Sequence, residues 1–179
     1  QSGDPLLQMN ALNMLLGALE SDENGYFVKK YGNDLIGFFL ELSQYGLTNE
    51  IQAQALICVS LCFENQFLDP RSICRTPYIQ FLIQVKLTEL IPETNAALYI
   101  LTVDAREKKS TIDVMLQSGI FDIIPNLPNE CNFGQLIDAI LQQEINVTPQ
   151  LEQIVQLIPL MIFSPNRDNV CHGLVCVGT

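Results

Sequence analysis

The sequence has little positive charge and no apolar stretch long enough to cross a membrane. Nine Lys and Arg residues stand against 20 Asp and Glu residues in a chain of 179, which leaves a net charge of −11. Such a charge repels phosphate backbones and anionic lipid headgroups, so we expect neither nucleic acid nor membranes as partners. Polar residues interrupt the longest apolar runs before they reach the roughly 18 residues of a membrane span; they are Asn13, Glu41, Gln84 and Gln156.

Residues suited to catalysis are also scarce. The chain has one histidine, His172, and no glycine-rich loop of the kind that holds phosphates. Adjacent carboxylates such as Asp22-Glu23 fall in a predicted turn, which suits solvated charge better than acid-base work. Cys58 and Cys62 share one predicted helix face without a nearby histidine, so packing is their expected role. We therefore expect a protein that is not an enzyme and that needs no cofactor.

One short segment invites a metal site or a catalytic site. Cys171, His172 and Cys176 make a compact group, whereas a structural zinc site needs four ligands, usually as two close pairs. No second pair lies nearby in the sequence, and Cys176 aligns with the packing position of Cys58 in the repeat described below. We expect no metal here, and a metal-dependent protein or enzyme that uses these three residues is the alternative from another functional class.

The cysteines favour a reducing compartment. Four of the six lie inside aliphatic stretches, where a free thiol packs like a small apolar group; these are Cys58, Cys62, Cys74 and Cys176. The first residues lack the positive start and apolar stretch of a secretory signal. We therefore expect a cytoplasmic protein, with the nucleus as the alternative compartment.

A short phrase, one small residue followed by aliphatic residues, returns at regular intervals. It begins at Ala11, Ala55, Ala97, Ala139 and Gly173, with spacings of 44, 42, 42 and 34 residues. Three of these spacings match the 40 to 47 residues of stacked helical repeats. The apolar share of 48% is enough to build a continuous core. The period predicts an all-α solenoid of about four repeats.

Helical periodicity and end signals place the elements of each repeat. We predict long helices near 5–20, 50–64, 94–107, 132–145 and 169–179, with shorter helices between them. Asp4 and Pro5 are expected to start the first helix, and Gly32-Asn33 to separate segments 26–31 and 34–45. Pro159 should kink or divide the helix over 149–163. The last long helix carries no polar capping helix after it, so we expect a chain cut from a longer solenoid at its C-terminal end.

The segment from Ser110 to Pro128 resembles the short-helix, glycine, medium-helix part of armadillo repeats. Gly119 sits at the turn glycine, Gly32 lies near that position in the first repeat, and Pro77 replaces it in the second. The next long helix is similar as well, because Ala55, Cys58, Val59, Ser60 and Cys62 follow the small-small-aliphatic pattern. The resemblance implies one right-handed armadillo-like domain over residues 1–179, acting as a protein-binding scaffold.

In armadillo proteins the long helices line a concave groove. The resemblance implies that residues two and six places after each repeating alanine face a partner; here they are Asn13, Gly17, Ile57, Leu61, Tyr99 and Val103. Four of them are apolar or aromatic, which suits an amphipathic helix or an apolar peptide, while the net acidity suits a basic segment. If the register is wrong by one residue, the same strip is buried core.

Three narrower functional alternatives remain open at this point. Some chaperone nucleotide-exchange factors and nuclear-transport adaptors are armadillo-like solenoids. The adaptors clamp basic peptides with tryptophans, and this chain contains no tryptophan. A purely structural role, as an internal stretch of a longer solenoid, is the third alternative.

Overall fold

The computed structural model describes residues 3–22, 25–64, 76–88, 91–107, 109–143 and 151–178. These residues are almost entirely helical and include no β-strand, which confirms the all-α class. They belong to two compact units, Gln1–Ile73 and Cys74–Thr179. Among the described helices, none is both long enough and apolar enough to span a bilayer. The single repeat domain expected over 1–179 stays a prediction.

Within residues 3–22 and 25–64, the described part of the first unit, lie three helices, α1 (Pro5–Glu20), α2 (Tyr26–Tyr45) and α3 (Asn49–Glu64). Their ends follow the local signals of the sequence. The Leu6 N–H donates to Asp4 Oδ1 at 2.9 Å, so Asp4 caps α1 as predicted. The N–H of Gly46 donates to the Leu42 carbonyl and ends α2. The first and second predicted long helices, 5–20 and 50–64, are thereby confirmed to within one residue.

The predicted break at Gly32-Asn33 is wrong. Helix α2 runs without interruption from Tyr26 to Tyr45. Gly32 is buried inside it, and a glycine within a helix costs only about 1 kcal/mol relative to alanine, which the burial of a continuous helix offsets. The turn falls instead at Gly25, whose φ of 62° lies in the left-handed region that glycine adopts at low cost.

Helix α3 forms the centre of the first unit. It packs against both α1 and α2 and buries eight of its residues. Helix α1 buries two, Leu12 and Leu19, so most of its length lies at the edge of the unit. The core between the helices is completed from α2 by Val28, Ile36, Phe39 and Leu42.

The described residues of the second unit form seven further helices and two short 3-10 turns. The helices are α4 (Thr76–Gln84), α5 (Ile91–Glu107), α6 (Lys109–Gln117), α7 (Ile120–Ile123), α8 (Gly134–Gln142), α9 (Leu151–Ile162) and α10 (Arg167–Gly178), and the 3-10 turns are Lys86–Thr88 and Ile124–Asn126. Gly119 has a φ of 73° and turns the chain into α7, as predicted for the turn glycine. The remaining predicted long helices correspond to α5, α8 and α10. Helix α5 begins three residues earlier than expected and α10 two residues earlier. The prediction of a helix over 132–145 is wrong at its ends, because α8 begins at Gly134 and stops at Gln142, where the extended backbone of Gln143 ends it. Residues 144–150 and 179 lie outside the described part of the chain.

Pro159 does not divide the helix that contains it. Helix α9 continues through Pro159 to Ile162, and the Phe163 N–H donates to the Pro159 carbonyl at 3.0 Å. Buried residues lie on both sides of the proline, at Ile154, Leu157 and Met161, whereas Pro159 itself is exposed. The buried face therefore stays continuous, and the proline is accommodated on the solvent side.

Helices α5, α8 and α10 lie side by side in the second unit, since α5 contacts α8 and α8 contacts α10. The shorter helices make their own contacts, α4 with α6 and α7 with α9. At the N-terminal ends of α5 and α8, the Asn132 N–H donates to Asn95 Oδ1 at 2.9 Å. At their C-terminal ends, Gln143 Nε2 donates to the Arg106 carbonyl at 3.1 Å. The N-terminal ends of α5 and α8 lie together, and so do their C-terminal ends, so these two helices run parallel.

The loop over residues 127–133 buries Leu127, Cys131 and Phe133 and is held by side chains of the next long helix and of the residues just before it. Asn169, at the start of α10, is fully buried, and its Oδ1 accepts from the Gly134 N–H at 2.8 Å. Its Nδ2 donates to the Cys131 carbonyl at 2.8 Å and to Ser164 Oγ at 3.1 Å. These bonds satisfy backbone groups that would otherwise be buried without partners. Asn169 therefore sets the position at which α8 begins.

The repeating small residues lie where the helices are closely packed. Ala55, Ala97 and Ala139 are at most 1% exposed. A Cβ atom added to Gly173 would lie 2.9 Å from Met161 Cβ, so α9 and α10 approach closely there. Ala11 differs, because it is exposed.

Candidate functional site

The predicted partner-facing residues of the second unit lie on the least buried side of α5. Tyr99 and Val103 are half-buried, and with Asn95 and Arg106 they form one stripe at helical spacing. The residues between them are buried, among them Ile100, Leu101 and Thr102. We call the stripe Asn95, Tyr99, Val103 and Arg106 the open side of α5.

The four predicted residues of the first unit also lie outside its core. On α3, Ile57 and Leu61 are half-buried, while Cys58 and Cys62, one place further on, are fully buried. On α1, Asn13 and Gly17 are exposed. The two helices pack against each other. Binding of a partner at these positions stays a prediction.

Helix α8 also has a less buried side, with chemistry that differs from that of α5. The less buried residues of α8 include Gln135, Asp138 and Gln142, spaced three and four apart on one helix face. The bond from Gln143 to the Arg106 carbonyl links this edge of α8 to the open side of α5. The open side of α5 is aromatic and aliphatic at Tyr99 and Val103, whereas these α8 residues are polar or acidic, and the half-buried Leu141 precedes Gln142. The apolar strip proposed from the sequence is not extended by these α8 residues.

Asp138 is the centre of the polar part of this surface. Its Oδ2 accepts from Gln142 Nε2 at 2.9 Å and lies 3.2 Å from His172 Nδ1 on α10. Both side chains of the Asp138–His172 pair retain some exposure, 13% and 23%. The sequence analysis missed Asp138, although its spacing from Gln135 and Gln142 is a signal of a half-exposed helix face.

The Cys171, His172 and Cys176 group does not form a compact site. Cys171 is exposed, His172 faces Asp138, and Cys176 lies one helical turn beyond His172. Burial, and then the negative charge of Asp138, raises the pKa of the Cys176 thiol. A thiol held in its protonated form is a poor nucleophile. Within the described residues, no three His, Cys, Asp or Glu side chains converge in a way that suits a metal ion.

Comparisons of the chain with models of protein families, with curated proteins and with solved structures found no match. The function of the chain is therefore inferred from the arrangement of its helices and from the chemistry of its exposed surfaces.

Proposed function

We propose that this chain is a non-catalytic scaffold of the armadillo type that binds a segment of a partner protein across α5, α8 and α10. The observation that carries the proposal is the side-by-side arrangement of these three helices, in which α5 and α8 each keep a less buried side. In an α-solenoid the same arrangement forms the extended binding surface. The proposal includes a right-handed solenoid of about four repeats and a cytoplasmic location.

The hydrogen bonds between neighbouring helices support the repeat architecture. Hydrogen bonds join residues 129–134 to Ser164, Asn166 and Asn169, which lie just before α10 or in its first turn. The two partners of each bond are 35 to 38 residues apart in the chain. The two bonds between α5 and the α8 region each span 37 residues. A nearly constant separation is expected when each repeat docks against the next one in the same way.

The surface chemistry indicates what kind of segment it would hold. Tyr99 and Val103 offer an aromatic and an aliphatic contact, and aromatic residues are frequent energetic anchors of interfaces. Asp138 offers a carboxylate to a Lys or Arg side chain, and Gln135 offers an amide that can bond to a backbone. We therefore propose a partner segment with an apolar residue next to α5 and a basic residue next to α8.

The proposal is tested by capture of partners from a cell extract on the immobilised chain. Tyr99→Ala and Val103→Asp should each lose the specific partner, because both remove contacts of the open side of α5. Val155→Asp is the matched control, since Val155 is 55% exposed and lies on α9. Circular dichroism should show that all three variants remain helical.

The pattern of loss decides between the proposal and its alternatives. Proteins retained by the parent and by Val155→Asp, and lost by both α5 variants, would support binding at α5. Equal capture by all four proteins would show that the open side of α5 is not the binding surface. If capture is sensitive to salt, is unchanged in the two α5 variants and falls in Asp138→Asn, the contact lies on α8 alone.

A further inference from the structure

A cleft lies between α1 and α2 in the first unit. Both helices pack against α3, and a cavity of about 410 Å³ lies beside the start of α1 and the end of α2. It is lined by Gly3, Leu7, Gln8, Ala11, Phe38, Glu41, Leu42, Tyr45 and Leu47. Cavities of this size are typical of ligand sites. The cleft shares no residue with the surface of α5, α8 and α10.

The walls of the cleft are apolar and yet exposed. Leu7 is 55% exposed, Phe38 is 41%, Leu47 is 52% and Tyr45 is 76% exposed. Grouped large apolar side chains in contact with water mark interaction surfaces, whereas isolated ones do not. Leu7 with Ala11, and Phe38 with Leu42 and Tyr45, are spaced as one face of each helix. Two helix faces, together with Gly3 and Leu47, therefore form a largely apolar groove.

The repeat pattern indicates that the occupant of the groove is a helix. Ala11 occupies the position of Ala55, Ala97 and Ala139, which are at most 1% exposed because helices pack closely around them. Ala11 instead lines the cleft and is exposed. A small side chain at this position is suited to the close approach of another helix backbone.

The charges around the cleft indicate a basic occupant. Glu41 lies in the wall, and none of the residues that line the cleft is Lys or Arg. Helix α2 ends beside it without a basic residue in its last turn, so the partial negative charge of that helix end is not offset there. Over residues 1–73 the chain carries nine acidic and three basic residues. A cation near Glu41 is therefore attracted both locally and by the whole unit.

We propose that the α1–α2 cleft is a docking site for a basic amphipathic helix of a partner protein. The lining of α2 extends from Phe38 to Tyr45, which corresponds to about 10 Å of helix and thus to about two turns of the partner. Apolar side chains at positions i, i+3 or i+4, and i+7 of the partner enter the groove. A Lys or Arg at the edge of that apolar face lies next to Glu41. This proposal does not depend on the proposed function of α5, α8 and α10.

The test begins with a phage library of helical peptides of about 14 residues, selected on the full chain. The expected consensus has the apolar spacing just described and an excess of Lys or Arg at the edge of the apolar face. A selection repeated on Glu41→Lys should remove that basic preference. A consensus without apolar helical spacing, or one rich in acidic residues on the parent chain, would overturn the proposal.

Affinities of one selected peptide then locate its site. Tyr45→Asp and Leu7→Asp should each weaken binding about tenfold or more, because each places a carboxylate in the apolar groove. Glu41→Lys should weaken binding about three- to tenfold, as expected when a partly exposed charge pair becomes repulsive. Fluorescence anisotropy of the labelled peptide measures these changes.

Matched controls separate the cleft from other surfaces of the same unit. Met14→Asp makes the same kind of change as Leu7→Asp on α1, at a residue that is 78% exposed and does not line the cleft. Glu50→Lys repeats the charge change of Glu41→Lys on the exposed start of α3. Both controls should bind within about twofold of the parent once the general loss of negative charge is screened by salt.

Two results would refute the location or the occupant. If Leu7→Asp and Tyr45→Asp bind the peptide as the parent does, the peptide lies elsewhere. If sedimentation shows a dimer of the parent chain that Tyr45→Asp dissociates, the cleft is filled by a second copy and not by a basic helix. Thermal unfolding of both variants shows that any loss of binding comes from a folded chain.

Discussion

Replacement of Asn169 by alanine should be among the most destabilising single changes in the second unit. The side chain is fully buried and makes three hydrogen bonds, to the Gly134 N–H, the Cys131 carbonyl and Ser164 Oγ. Asn169→Ala leaves two buried backbone groups without these partners, and each such group costs about 1 to 3 kcal/mol. We expect a loss of about 3 to 5 kcal/mol, which is a large part of the 5 to 15 kcal/mol that is typical of a domain.

Urea unfolding followed by circular dichroism measures this loss as a change in the free energy of unfolding. Asn126→Ala is the matched control, because its Nδ2 bonds to the Asp122 carbonyl on the exposed surface at 3.0 Å. The control should change stability by about 0.5 kcal/mol or less. A loss below about 1 kcal/mol for Asn169→Ala would refute the reasoning, since water would then be satisfying the 127–133 loop.

Three further predictions concern two glycines in helices, the two buried thiols of α3 and the exposed Cys171. Gly134→Ala should cost about 1 to 3 kcal/mol, because its Cβ would lie 2.9 Å from Asn169 Cα; Gly37→Ala, with nothing within 4 Å of the new Cβ, should instead gain about 0.5 to 1 kcal/mol in the same urea experiment. Burial raises the pKa of Cys58 and Cys62 from 9.0 to about 12, so above pH 9 the unfolded chain ionises while the folded chain stays protonated. The free energy of unfolding should therefore fall between pH 9 and 12 by about 1.4 kcal/mol per pH unit for each thiol. Cys62→Ala should reduce that slope, and an unchanged slope would contradict the burial of the Cys62 thiol. Cys171 is exposed and should react first with a thiol reagent, so Cys171→Ser should remove a fast phase from the absorbance trace, and persistence of that phase would assign it to another cysteine.

Local signals in the sequence predict the positions of helices well, because caps and turn glycines act over a few residues. The Asp4 cap of α1, the Gly46 end of α2 and the left-handed Gly119 are examples. The same reasoning fails at Gly32, where tertiary packing outweighs a local helix-breaking signal. Packing also carries α9 through Pro159.

The chemistry of the open side could be predicted only in part. The resemblance to armadillo repeats implies Tyr99 and Val103 as outward-facing residues, and both are half-buried on α5; that they contact a partner stays a prediction. The role of Asn169 could not be predicted, because its partners lie 35 and 38 residues away in the chain and no local pattern links them. The α1–α2 cleft was missed for a related reason, since it depends on how two helices pack against a third.

The regular separation of the hydrogen bonds between α5, α8 and α10 also bears on how such a chain folds and evolves. Each of these bonds closes a loop of 35 to 38 residues, whatever its place in the row. The entropy lost on closing a loop depends on the length of that loop, so adding a repeat requires no longer closure than the one before it. A fold built in this way keeps a low relative contact order as it grows, and low contact order is associated with rapid folding. In the proposed solenoid, the number of repeats could therefore change by duplication or loss while the interface between any two neighbours keeps the same design.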